Sequence, residues 1–275
     1  MTTEKPIVWG AAVAVVVVAG ALYYYYGYAR HKVQVAAAPP HTQQAPPAVN
    51  GPAIEHPVPP NGAAGASQPP LPALNDSDAA MRSALTGLSG PLAKLLVPQN
   101  FIRHAVATVD NLPRKKVAVG LRPVVPASGS FAVAGTPGHI TLDPRNYQRY
   151  GPFVDAVKSI DAKQIVSVYF HFYPLFQQAY EDLGYPTEYF NDRVIEVIDH
   201  LLDTPDPQGP IELTQPNVMY QYADPKLEAL SAGQKTLIRM GSANAGILKD
   251  KLREIRQLLA THATATARPP PTPAN

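Results

Sequence analysis

Ile165, Tyr169, Phe172, Phe176, Ala179 and Leu183 recur at three- and four-residue intervals, the spacing that puts side chains on one face of a helix. At ~100° per residue they form a narrow stripe. Val168, Tyr173, Leu175 and Tyr180 widen it to nearly half the circumference, a width that suits a central helix touched by several neighbours. The pattern predicts a helix capped by Asp161 and ended by Gly184–Tyr185–Pro186. Pro174 lies inside it, opposite the stripe, where it removes a backbone hydrogen bond and bends the axis. Because the stripe keeps phase across Pro174, one kinked helix is expected rather than two. A second helix starts at Thr187 or Asn191 and buries Phe190, Val194, Val197, Ile198 and Leu201.

The same reading supplies the other elements. Met81, Leu85 and Leu88 share a face of a first helix, capped by Ser77 or Asp78 and stopped by Gly90–Pro91. From Asn100 to Leu112, Ile102, Ala105, Val106 and Val109 point inward, and Pro113 ends the helix. Phe131–Ala132–Val133 and Ile140–Thr141–Leu142 flank Gly135–Thr136–Pro137–Gly138 as a small hairpin. Asp143–Pro144 and Asp224–Pro225 are cap-plus-proline helix starts. The first opens a short helix to Tyr150, and another follows from Pro152 to Ile160. Thr204 to Pro210 reads as a turn, and Ser231 with Gln234 forms a capping box. Ser242 caps a last helix to about Ala260, with Leu248, Leu252, Ile255 and Leu259 inward. The fold class is mainly α: a compact multi-helix bundle over residues 74–260 with one small β-hairpin.

Ahead of that bundle the pattern changes. Ile7 to Tyr28 carries no charge and is long enough, at ~33 Å of helix, to span a hydrocarbon core. Trp9 at one end and Tyr23, Tyr24, Tyr25, Tyr26 and Tyr28 at the other suit the two membrane interfaces. Residues 7–28 are therefore expected to be a single-pass transmembrane helix in a bacterial inner membrane, after a short tail at 1–6. The competing reading is a cleaved signal peptide, with Ala36 and Ala38 at the cut. Lys5 against Arg30 and Lys32 nearly balances the positive-inside count. The short N-terminus and uncharged tether favour a periplasmic C-terminal domain. Residues 29–73 are rich in Pro and Ala and nearly uncharged, so they read as an unfolded linker with solvated His41 and His56. Residues 261–275 read as a disordered tail.

Composition narrows the chemistry. A net charge of +2 gives no reason to expect nucleic acid, and the absence of cysteine excludes disulfides, thiolate nucleophiles and cysteine-ligated metals. Gly87–Leu88–Ser89–Gly90 lacks the second spacer of a nucleophile elbow. Gly241 to Gly246 has phosphate-loop spacing, but Ile247 stands where Lys is required, so a capped helix start explains those glycines better. Asp192, Glu196, Asp199 and Asp203 share one face of their helix, opposite its apolar stripe. They could attract a cation or a basic partner, although a metal needs ligands from other elements as well; a solvated face is the plain reading. Gln177, Gln178 and Glu181 mark the place for a polar network or a small ligand. No catalytic, cofactor-binding or metal-binding residue is assigned. The candidate partner or ligand surface is Gln177, Glu181, Asp192, Glu196, Asp199 and Asp203.

The segments LPALNDSDAAMRSAL, FIRHAVATVDNLPR, YPLFQQAYEDLGYP, YFNDRVIEVIDHLLDTP, ADPKLEALSAGQKTLIRMG and LKDKLREIR resemble a bacterial family catalogued as a domain of unknown function, number 3014. The resemblance runs from about Leu71 to Leu259 and implies a membrane-anchored helical domain of Gram-negative bacteria, with no activity to carry over. Three readings follow. One is a tethered interaction or scaffolding module with an unknown protein partner. Another is an envelope enzyme using Glu181, Asp182, Glu196 and His200. The third is a small-ligand sensor with an aromatic pocket beside Pro174, Tyr180, Tyr185 and Tyr189.

Overall fold

A computed structural model describes residues 53–58, 70–97, 99–116, 121–136 and 138–267, with side chains described as far as Thr261. The tail 1–6, the expected transmembrane helix 7–28 and most of the linker lie outside the described residues. Among the described residues, no helix is long and apolar enough to cross a membrane.

The described chain holds ten α-helices and four strands. In order these are α1 (Asp78–Leu88), α2 (Gly90–Ala93), α3 (Phe101–Asn111), β1 (Val133–Thr136) and β2 (His139–Leu142). Then come α4 (Arg145–Arg149), α5 (Gly151–Lys158), α6 (Ala162–Asp182) and α7 (Phe190–Leu202). The chain closes with β3 (Glu212–Thr214), β4 (Gln221–Tyr222), α8 (Pro225–Glu228), α9 (Ala232–Met240) and α10 (Ser242–Ala267).

α6 is the axis of the bundle. It runs unbroken through Pro174, which is exposed on the side away from the core. Asp161 caps it by accepting the Lys163 N–H at 2.7 Å. Tyr169, Phe172 and Phe176 are buried as the stripe requires, and so are Val166, Phe170 and Tyr173 outside its narrow centre. The wider burial follows from the neighbours: α3 and α10 pack along α6, and α1 and α7 close further sides. Each fully buried side chain of this size contributes about 1.5–3 kcal/mol relative to exposure. Phe190 of α7 stacks on Phe176 with ring centroids 6.0 Å apart, tying the two helices at their aromatic ends.

Capping is less local than sequence suggests. Ser77 does not cap α1; its hydroxyl donates to the Leu74 carbonyl. Asp78 caps a different helix, accepting the N–H groups of Asn100 at 2.7 Å and Phe101 at 3.0 Å at the start of α3. Asn100 has φ 50° and makes no side-chain cap of its own, so the orphan donors of α3 need an acceptor from elsewhere in the fold. The Ser231–Gln234 capping box forms as predicted.

Three expectations are corrected. The single hairpin β1–β2 is half of a four-stranded antiparallel sheet in the order β1-β2-β3-β4, with Ile140 opposite Leu213 and Leu213 opposite Tyr222. β3 and β4 span three and two residues, too short for an alternating pattern to be seen. The sheet lies over α9 through a second core of Leu142, Ile211, Leu213, Tyr222 and Ile238. Secondly, α10 does not end near Ala260 but continues to Ala267, into the stretch expected to be a disordered tail. No glycine or proline intervenes before Pro269, and Thr261 returns its hydroxyl to the Gln257 carbonyl at 2.7 Å. Thirdly, the linker is not wholly apart from the domain: residues 53–58 lie on it, and Val58 packs against the main core.

The two glycines with phosphate-loop spacing have unlike roles. Gly241 has φ 81° and ψ 155°, a region other residues avoid, and a Cβ there would lie 2.8 Å from the Tyr147 ring. Gly246, inside α10, has nothing within 4 Å of a built Cβ. Gly241→Ala should therefore destabilise the domain by at least about 2 kcal/mol. Gly246→Ala should leave stability unchanged or raise it by up to about 1 kcal/mol. Denaturant unfolding of the two variants, side by side, checks the contrast.

Candidate functional site

The turn from α6 to α7 is built on side chains that satisfy backbone groups. Gly184 takes φ 117° and reverses the chain. Tyr180 and Tyr185 stack across the turn with ring centroids 4.5 Å apart, and the Tyr180 hydroxyl donates to Glu188 at 3.1 Å. Burial, helped by that carboxylate, pushes the Tyr180 phenol well above its ordinary pKa, so it stays a donor. Gln177 is the knot. Its carbonyl oxygen accepts from the Tyr173 hydroxyl at 3.0 Å and from the Phe190 N–H at 2.9 Å, and its amide donates to the Glu188 carbonyl and to Glu181. Gln177 and Glu181 are joined as expected, but not in a buried network: Glu181 is exposed, and the bonds of Gln177 cap α7 and hold the turn. Gln178 is exposed on the other side.

The four carboxylates of α7 do not act together. Asp192 faces residues 53–58; Glu196 pairs with Arg193 at 2.7 Å; Asp199 forms a two-pronged ion pair with Arg256 of α10. Asp203 is exposed just past the end of the helix. Of the other basic residues of α10, Lys249 bonds to the Thr204 carbonyl and Arg253 to Asp250. Among the described residues, no group of three or more His, Asp or Glu is arranged to hold a metal ion. The set considered for catalysis is also dispersed. Asp182 pairs with Arg103, Glu181 with Gln177, and His200 shares a hydrogen bond at 2.8 Å with Ser231, the cap of α9. Burial lowers the His200 pKa, which suits a neutral ring serving that cap.

What the structure does bring together is an open cleft of ≈ 510 Å³ between α3, the α6–α7 turn and α7. Tyr180, Tyr185 and Tyr189 line it as the aromatic-pocket expectation asked; Pro174 is not among the lining residues. At its floor Asp110 of α3, 3% exposed, accepts from Arg114 at 2.6 Å and from the Tyr185 hydroxyl at 3.3 Å. The Arg193 guanidinium lies 3.2 Å from the same carboxylate and donates to the Asp110 main-chain carbonyl at 2.9 Å. Asp110 and Arg193 were missed at the sequence level. Asp110 left a trace there, since it falls one turn beyond Val106 on the inward face of α3, where a charge is out of place without a partner.

The rim of the cleft is a strap, residues 53–58, crossing the start of α7. The Asp192 carboxylate accepts the N–H of Glu55 at 3.1 Å and of His56 at 2.7 Å, and the His56 ring Nδ1 lies 3.1 Å from the same carboxylate. Asn191 donates its amide to the His56 carbonyl at 2.8 Å, and the Tyr189 hydroxyl accepts the Val58 N–H at 2.9 Å. Asp192 sits in the first turn of α7, where the helix dipole favours a negative charge. His56 is thus half-buried and engaged, rather than solvated.

The Asp110 cluster should carry more stability than any other ion pair at the site. Asp110→Ala leaves a mostly buried Arg193 short of its partner and should cost about 3 kcal/mol. Glu196→Gln, which removes an exposed partner of the same arginine, should cost less than about 1 kcal/mol. Thermal unfolding of both variants tests the ranking.

The family model described as "Protein of unknown function (DUF3014)" matches residues 101–256, from the start of α3 into α10, and so takes in the floor and walls of the cleft but not the strap. No curated protein and no solved structure matches the chain. With more than half of its length matched, the chain belongs to this family of proteins of unknown function.

Proposed function

We propose that the domain is an interaction module of the bacterial cell envelope, leashed to the inner membrane by residues 7–28 and facing the periplasm, with the α6–α7 turn as its docking surface. The observation that carries the reading is the strap. The domain already holds a stretch of its own upstream chain there through that stretch's main-chain donors and acceptors, the mode by which peptide-recognising surfaces gain affinity without demanding one sequence. A leash confines such a surface near the membrane and raises its effective concentration for partners there. A small-ligand reading draws on the same cleft, whose volume falls within the usual range of about 300–1,000 Å³. Its charged walls, however, are engaged with one another, so they offer a ligand less than the main-chain contacts offer a peptide.

A photo-reactive residue placed at Glu196, on the cleft wall, should give discrete protein adducts in the membrane fraction of intact cells. The same residue at Lys226, exposed on α8, should give none. A phosphatase reporter fused after Asn275 should be active, as periplasmic exposure requires. Equal labelling from both positions, or a chain that never sediments with membranes, would sink this reading.

A further inference from the structure

The strap identifies the kind of segment its groove reads. Residues 55–58 possess three main-chain N–H groups, since Pro57 has none, and the domain accepts all three: two at Asp192 and one at Tyr189. The His56 carbonyl and ring are both engaged, and Val58 packs on the main core. By contrast Ile54 is 55% exposed and the Glu55 side chain is also outside. His56 and Val58 are therefore engaged through their side chains, Pro57 between them is half-buried, and Glu55 is held by its N–H alone. The fit also leaves one gap. Asn191 is 1% exposed, yet its side-chain carbonyl oxygen has no hydrogen-bond partner, although a buried acceptor of this kind normally has one.

We infer that this groove recognises, in a partner protein, a bent segment of the form residue–His–Pro–aliphatic, and that the strap is the chain's own occupant, which the partner segment displaces. The inference rests on the interaction-module reading and names the ligand of that module. Eleven residues (59–69) separate the strap from Pro70, so the strap is an intramolecular competitor with an effective concentration on the order of millimolar. Such an occupant keeps weak or mismatched peptides out. A partner segment prevails by offering a donor to the open Asn191 oxygen or by being held at high local concentration near the same membrane.

The test uses the full chain in detergent and a fluorescein-labelled synthetic peptide, GPAIEHPVPP, which is residues 51–60. A strap-substituted chain (E55G/H56S/P57G/V58S) should bind it saturably by fluorescence anisotropy. The unsubstituted chain should bind at least about tenfold more weakly because its own strap competes. Adding Asp192→Asn to the strap-substituted chain should abolish binding. Peptides carrying H56A or P57G should bind at least about tenfold more weakly than the parent, and one carrying I54A equally well. These peptide changes leave the protein untouched, so a folding defect cannot mimic them. Binding of a scrambled peptide as tightly as the parent overturns the inference, as does equal binding by the two chains. Loss of peptide binding while the Glu196 adducts persist makes the strap a fixed clamp, overturning the inference but sparing the module. Stable pairing of unsubstituted with strap-substituted chains in light scattering assigns the groove to a second copy, which also overturns the partner assignment.

Discussion

Burying α6 on almost every side sets the terms for everything around it. A helix that presents Ile165, Tyr169, Phe172 and Phe176 in one direction and Val166, Phe170 and Tyr173 in others must be enclosed by several elements at once. α3 and α10 run along it, and α1 and α7 close the remaining apolar sides. The one side left open is where Pro174 sits, and there a missing backbone donor is tolerated because the chain faces water. The non-directional gain from burial thus chooses which helices meet. It does not by itself fix their register.

Register comes from polar groups that burial would otherwise strand. Gln177 caps α7 from the side of α6, Asp78 caps α3 from α1, and His200 of α7 touches the cap of α9. Each tie joins two separate elements and supplies a partner that an unsatisfied helix terminus requires. Asp110 works in the same way at larger scale. A nearly buried carboxylate collects Arg114, Arg193 and Tyr185, locking α3 against the α6–α7 turn and shaping the cleft floor. Most of the polar atoms that line the cleft are structural first.

That economy explains why the strap is the informative feature. The walls of the cleft are engaged among themselves, whereas Asp192, Asn191 and Tyr189 direct their polar atoms outward to main chain from far upstream. A carboxylate in the first turn of a helix, able to accept two successive N–H groups, is an apt receptor for a bend in the chain, where such groups converge. The acidic face of α7 therefore has one member that reaches a segment outside the bundle. Its neighbours Glu196 and Asp199 are neutralised within the bundle.

Most of the helical framework was legible in the sequence. The apolar spacing of α1, α3, α6, α7 and α10, the Asp161 cap and the Ser231–Gln234 box are local properties, set by residues within a turn or two of each other. The family resemblance was legible as well, because it rests on those same segments. Of the site, sequence gave Asp192, Glu196 and the three tyrosines but grouped Asp192 with carboxylates it does not serve with. β3 and β4, too short to show a period, exist because β2 offers β3 an edge over α9 and β3 in turn offers one to β4. Asp110 joins Arg193 across 83 residues, and Asp192 meets His56 across 136. Pairings at that range leave no pattern in a single chain, because they depend on where packing brings the helices, and only the folded structure decides that.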